Sequence, residues 1–214
     1  MAKQKIAEIN RKAWNTIAKQ KKAVHPTKGK KEKIILEEFI NLLPQKGTIL
    51  DLGCGDGNPI GKKLAKAGLK ITGIDVADEM VKAYAKNVPG AKTQRMPMTD
   101  INFNQEFDGI LSSFSMLSLP PDDFKSTAMK IITALKTEGW FLLILNEGDS
   151  KTGKVQEVQG QQMYSTGISE EEVRSAFETR QMKVVKLERE TVESEEYGTE
   201  HTMIFLMQKV SPGF

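Results

Sequence analysis

The 214 residues suit one larger domain, or one domain with a small appendage, and at 39% hydrophobic they can bury a proper core. The longest uninterrupted apolar run is Trp140 to Leu145 and residues 1–30 are charged, so neither a spanning helix nor an apolar signal core is present. Net charge is +3, but residues 1–33 alone carry +9 and the stretch Glu188 to Glu200 carries −5, so the basic character is local. The single cysteine, Cys54, excludes an internal disulfide, and with only His25 and His201 a Cys/His zinc site would lack ligands. No bound metal and a cytoplasmic location are expected.

Helical spacing of Ile6, Ile9, Ala13, Trp14 and Ile17 predicts a first helix. A second runs through Ile34, Ile35, Phe39, Ile40 and Leu43 until Pro44. From Thr48 the pattern alternates: TILDL as strand, Pro59 to Ala67 as helix, LKITGID (69–75) as strand, Ala77 to Lys86 as helix, and a short strand near Ala91 to Gln94. FDGILSS (107–113) is the next strand, Asp122 to Leu135 a helix, and WFLLIL (140–145) a fifth strand entered through a turn at Gly139. Beyond lie a polar loop from Asn146 to Gly167, a helix opened by Ser169 with Glu172 in capping-box spacing, and two strand-like runs, Met182 to Leu187 and Thr202 to Val210. Repeated βα units predict a parallel sheet between helix layers, closed by an antiparallel hairpin. The expectation is one domain over 1–214, with a helical region at 1–45 preceding an α/β core at 46–214.

Chemistry concentrates after the first strand. DLGCGDGNP (51–59) is a glycine turn feeding a helix, where missing Cβ atoms let a ligand approach the backbone. A nucleotide-like ligand is the natural reading, although the dinucleotide fingerprint would need Gly or Ala where Asn58 stands, so NAD fits poorly. Eighteen residues after Gly57, Asp75 ends the second strand, where a carboxylate can accept hydrogen bonds from both ribose hydroxyls. GDSKTGKV (148–155) nearly matches a phosphate loop, but Val155 replaces the hydroxyl that would hold magnesium.

In order and spacing, ILDLGCGDG (49–57), ITGIDVADEM (71–80), FDGI (107–110) and LKTEGWFL (135–142) resemble class I S-adenosylmethionine-dependent methyltransferases of the small-molecule type. The resemblance runs from Trp14 to the end and implies a Rossmann-like three-layer sandwich, its seven-stranded, mostly parallel sheet ending in a C-terminal antiparallel hairpin. It implies S-adenosylmethionine as cofactor, with Asp51, Gly53, Cys54 and Gly55 at its methionine part, Asp75 at the ribose and Val76 or Met80 near the adenine. Met98, Ser113 and Phe114 complete the implied set. Pro97 stands where relatives place a carboxylate on the adenine amine, so the backbone of Met98 is the substitute contact and Asp100 a turn residue. Cys54 has no chemistry of its own.

Methyl transfer asks for in-line alignment of a nucleophile and exclusion of water more than for an obligatory catalytic group. Candidates for a general base are Tyr164, in GQQMYS (160–165), and His25, in the linker of a region that relatives fold over the cofactor; His201 reads as a surface histidine. The expected acceptor is a small molecule methylated on O or N, with S or C ranked behind them. Two rivals stay open: an RNA methyltransferase using the lysine-rich N-terminal segment, and a catalytically silent S-adenosylmethionine-binding module. Against the first, no aromatic platform accompanies the lysines, and SSFS (112–115) follows strand four where amino-methylating nucleic-acid enzymes carry an Asn/Asp-Pro-Pro-Tyr run.

Overall fold

The computed structural model describes residues 3–20, 29–179, 181–194 and 198–211. In chain order they form α1 (Lys3–Lys19), α2 (Lys30–Leu42), β1 (Thr48–Leu52), α3 (Ile60–Lys66), β2 (Lys70–Asp75), α4 (Asp78–Asn87), β3 (Lys92–Arg95), β4 (Phe107–Ser113), α5 (Pro121–Ala134), β5 (Leu135–Asn146), β6 (Lys154–Val158), β7 (Gln161–Ser165), α6 (Glu170–Phe177), β8 (Met182–Ser194) and β9 (Gly198–Lys209). Seven strands make one sheet in the order β3-β2-β1-β4-β5-β9-β8. The first five are parallel and β9 runs antiparallel to both β5 and β8. This is the Rossmann-like sandwich expected from the sequence, with its closing hairpin.

Covering both faces of the sheet explains why its central strands are apolar throughout. On one face Phe124, Ile131, Val173 and Phe177 of α5 and α6 pack over Leu50, Ile110 and Phe141. On the other, Leu36 and Phe39 of α2, Leu64 of α3 and Tyr84 of α4 cover Ile49, Ile71 and Leu142. A third, small cluster joins Ala13 and Ile17 of α1 to Ala77 and Met80 beside α4 and to Met163 of β7.

Three expectations change in extent. The fifth strand, expected from Trp140 after a turn at Gly139, begins at Leu135 and runs through that glycine. The segment read as a polar loop from Asn146 to Gly167 contains a two-stranded sheet of its own, β6 with β7. The terminal hairpin is longer than its apolar runs, because pairing continues through polar residues as far as Ser194 opposite Gly198. The helix predicted from Ser169 forms as expected: the Ser169 hydroxyl accepts from the Glu172 amide, and the Glu172 carboxylate accepts from the Ser169 amide.

The charge asymmetry has a structural counterpart. Glu190 of β8 accepts hydrogen bonds from the amides of Lys30, Lys31 and Glu32, so a carboxylate on the last hairpin caps the N-terminus of α2. Lys31 also pairs with Glu188 at 2.8 Å. A Cβ on Gly29 would lie on the Glu190 carboxylate, so any other residue there would push this cap aside.

Candidate functional site

The carboxyl ends of β1, β2 and β4 open into a cavity of about 1000 Å³. Three glycines of the turn after β1 have left-handed backbones, with φ of 72° at Gly53, 56° at Gly55 and 80° at Gly57. The amides of Gly53 and Cys54 both donate to the Ile74 carbonyl at 2.9 Å, which hangs the turn on β2. A side chain at Gly53 would meet Ser115, with an added Cβ 2.3 Å from the Ser115 Cβ. Ser115 is fixed there by its own hydrogen bonds, donating to the Leu52 carbonyl and sharing a 2.8 Å contact with the Ser112 hydroxyl.

At the end of β2, Asp75 is 9% exposed and accepts from the Gly55 amide at 3.1 Å and the Ala77 amide at 2.9 Å. Burial pushes its carboxyl up to about 6, against the opposing pull of these backbone donors. It is therefore ionised at neutral pH, held by two amides, with further lone pairs available. Phe114 closes β4 at φ +54°, a conformation costly for a bulky residue, and its amide donates to the Ile144 carbonyl at 2.8 Å. Val76, Met80, Met98 and Ser113 line the same end of the cavity.

The opposite walls come from α1 and from the β6–β7 hairpin. Asn10 is 3% exposed; its side-chain amide donates to the Tyr164 carbonyl at 3.1 Å and accepts from the Tyr164 amide at 2.8 Å, pairing with β7 as a neighbouring strand would. Asn15 accepts from the Glu79 amide in the first turn of α4, and Arg11 pairs with Asp78 at 3.1 Å. These contacts seat α1 across the opening, with Ile6, Asn10 and Trp14 facing the cavity. The Tyr164 hydroxyl end lies against Gly153, and burial pushes its phenol up, so the hydroxyl stays protonated at neutral pH. Asp123, Asn146, Lys154 and Glu200 complete this end, where the Asn146 amide donates to the Glu200 carboxylate at 3.1 Å.

Of the ten residues expected around a cofactor, Gly53, Gly55, Asp75, Val76, Met80, Met98, Ser113 and Phe114 line the cavity, and Asp51 and Cys54 do not. Asp51 is 5% exposed and accepts from the Tyr84 hydroxyl at 2.9 Å, beneath the layer of α2, α3 and α4. Burial pushes its carboxyl up to about 7; the Tyr84 hydrogen bond opposes the rise and the charge of Asp75 adds to it. Tyr84 reaches it because Gly61 and Gly73 leave room, a Cβ at Gly61 falling 2.6 Å from the phenol oxygen. Cys54 packs in that same layer, its thiol raised by burial. Tyr164 is in the cavity wall, His25 lies outside the described residues, and His201 is an exposed residue at the rim that meets the Thr191 hydroxyl at 3.2 Å. Asn10, Asp123, Asn146 and Glu200 went unassigned from sequence. Only Asn10 carried a signal, a polar residue on the apolar stripe of the first helix.

Among the described residues no cluster of His, Cys, Asp and Glu could hold a metal ion, and no helix is long and apolar enough to cross a membrane. Residues 49–139 match the family model described as a methyltransferase domain. An uncharacterized methyltransferase of Staphylococcus carnosus is 34% identical over 111 residues, 51% of this chain and 52% of that protein. The chain spans about half the length of the curated relatives it matches. Among solved structures, the 1,6-didemethyltoxoflavin-N1-methyltransferase of Burkholderia thailandensis, with its substrate and S-adenosylhomocysteine bound, superposes with a TM-score of 0.76 at 18% identity, over 99% of this chain and 92% of that one. A S-adenosylmethionine-dependent methyltransferase of Methanosarcina mazei gives 0.69 at 19% identity, over 79% and 95%. Residues 49–139 thus resemble a methyltransferase domain in sequence, and the fold as a whole is similar to that of S-adenosylmethionine-dependent methyltransferases of known structure.

Proposed function

We propose that the chain binds S-adenosylmethionine in this cavity and moves its methyl group to an oxygen or nitrogen of a small molecule by in-line displacement. The observation that carries the reading is the Asp75 carboxylate, buried at the cavity floor and held by the Gly55 and Ala77 amides next to a side-chain-free glycine turn. A ribose diol fits this donor-hungry group, and the turn admits the rest of a nucleoside close to the backbone. A cavity of about 1000 Å³ lies at the upper end of the roughly 300–1,000 Å³ usual for a ligand pocket, which supports room for an acceptor beside the cofactor.

The cofactor supplies an already activated methyl on a sulfonium, so the chain's residues have to position and to exclude water. Gly53 and Phe114 shape the wall between the two halves of the cavity. Trp14 and Asn10 of α1, with Tyr164 of β7, cover the acceptor side as a lid, and Tyr164 offers its hydroxyl to orient a polar group there.

Isothermal titration tests the reading. S-adenosylhomocysteine should bind in the micromolar range, and Asp75→Ala should lose roughly 1–3 kcal/mol of that affinity. Affinity in the wild type should fall as pH drops through about 6, where Asp75 takes up a proton and loses acceptor capacity. Labelled cofactor is then supplied with a metabolite extract and, separately, with total RNA. Label in a low-mass product supports the small-molecule reading; label confined to RNA supports the nucleic-acid rival; binding without any transfer supports the silent module.

A further inference from the structure

We infer that the methyl acceptor carries an anionic oxygen group, a carboxylate or a phosphate, held by Lys154, Gln156 and Ser165 on the inner face of the β6–β7 hairpin. This rests on the small-molecule methyl-transfer reading above. Side chains alternate along a strand, and Lys154, Gln156 and Val158 of β6 line the cavity whereas Val155 and Glu157 do not. One face of the hairpin is therefore cavity wall. In the antiparallel register Lys154 stands opposite Ser165 and Gln156 opposite Met163, and both partners line the cavity as well. Opposite residues hold their Cβ atoms about 5 Å apart, and Lys154 and Gln156 follow one another at roughly 7 Å along the strand. An ammonium, a hydroxyl and a carboxamide thus share one small patch.

Neighbouring residues fix where the patch lies. The Thr166 amide donates to the Leu117 carbonyl at 3.0 Å, in the loop that follows β4, and the Tyr164 backbone is bound by Asn10 of α1. The glycine turn and Asp75 stand instead at the ends of β1 and β2. What singles out the patch is the state of the charges around it. The carboxylates that line the cavity are engaged: Asp75 by two amides, Asp100 by the Thr99 hydroxyl, Glu147 by Arg189 and Glu200 by the Asn146 amide, and Asp123 has a partner too. Lys154 is the one lysine or arginine among the described lining residues, and its ammonium makes no ion pair or hydrogen bond with any described residue. The side chains of Gln156 and Ser165 are equally without a partner among the described residues.

The unmatched charge of this wall is therefore positive, with two uncharged donors beside it. A carboxylate or phosphate complements all three, accepting a charge-assisted bond from the ammonium and further bonds from the hydroxyl and the carboxamide N–H. Lys154 is exposed, as a residue at the mouth must be for an anion to reach it. Paired with an ammonium, the anionic group is a poorer nucleophile. It anchors the molecule and leaves another oxygen or nitrogen free to take the methyl.

The test uses the full chain saturated with S-adenosylhomocysteine and ligand-observed NMR titrations, at constant ionic strength, of benzoate and phenyl phosphate against benzamide and benzylamine. At least one anion should bind fivefold or more tightly than benzamide, a margin set by partial screening of an exposed ammonium. The tighter of the two anions names the group. Lys154→Met should shrink the preference below twofold while leaving S-adenosylhomocysteine affinity within twofold, a check that the fold and the cofactor half are intact. Lys154→Arg, which keeps the charge, should retain the preference, and so should Lys151→Met, which removes a lysine that does not line the cavity. A preference unchanged in Lys154→Met, one lost equally in Lys151→Met, benzamide or benzylamine binding as tightly as both anions, or no binding by any probe would overturn the assignment. Loss of S-adenosylhomocysteine binding in the wild type would instead overturn the cofactor reading beneath it.

Discussion

Asp51 is the residue whose placement differs most from its reading in sequence, and replacing it by asparagine has a calculable consequence. An unfolded aspartate titrates near 3.9, whereas burial lifts this one to about 7. The native state thus holds the proton more tightly than the unfolded chain. The stability linked to this group is complete below about pH 4 and is lost as pH rises through about 7. At roughly 1.36 kcal/mol per unit, the loss amounts to about 1.5 kcal/mol at pH 5 and about 4 kcal/mol at pH 8. At 5% exposure there is little solvent to screen it. Asp51→Asn does not titrate, and its side-chain oxygen can still accept from Tyr84. Relative to the wild type it should therefore gain roughly 2–3 kcal/mol between pH 5 and pH 8. Relief of the charge that Asp51 imposes on Asp75 acts in the same direction. Urea unfolding of both proteins at the two pH values measures the difference, which at a slope of about 2 kcal/mol/M moves the relative midpoint by about 1 M. An offset that is the same at both pH values within about 0.5 kcal/mol, or one of opposite sign, would refute the buried-carboxylate account.

Gly53→Ala should cost more than about 2 kcal/mol and weaken S-adenosylhomocysteine binding at least tenfold, because the new Cβ meets Ser115 in a left-handed backbone; thermal unfolding and titration check it. Gly68→Ala is the control, with φ of 77° but open space, and should lose only about 1 kcal/mol and no affinity. Asn10→Ala removes two hydrogen bonds from the buried backbone of Tyr164 and should cost about 1–3 kcal/mol. Hydrogen exchange should then quicken in α1 and β7 while β1, β4 and β5 keep their protection.

What was legible in the sequence is what the chain encodes locally. The glycine turn and Asp75 lie within one βαβ unit, so spacing alone brings them together, and apolar strands buried on both faces announce themselves without their partners. Asp51 belongs to the same turn, but the side it serves is decided by Tyr84, which reaches it only because Gly61 and Gly73, on different elements, are bare. The β6–β7 hairpin escaped notice because KVQEV and QQMYS are largely polar and β6 is mostly half-buried or exposed, so no clean alternation marks it. Glu200 sat in an acidic run that looks solvated; pairing of β9 with β5 turns this one glutamate into the cavity. Asn10 is recognisable only through a partner 154 residues away.

The cap on α2 sets a timetable for synthesis. The amide of Lys30 bonds to a carboxylate 160 positions downstream, so while the chain emerges from a ribosome the second helix lacks this cap until Glu190 of β8 has been made. Until then its first turn presents open amides and a row of lysines to the surroundings, including the ribosome's own RNA. The first turn of α2 is therefore more cationic in effect before the acidic hairpin arrives than after Glu188 and Glu190 have docked on it.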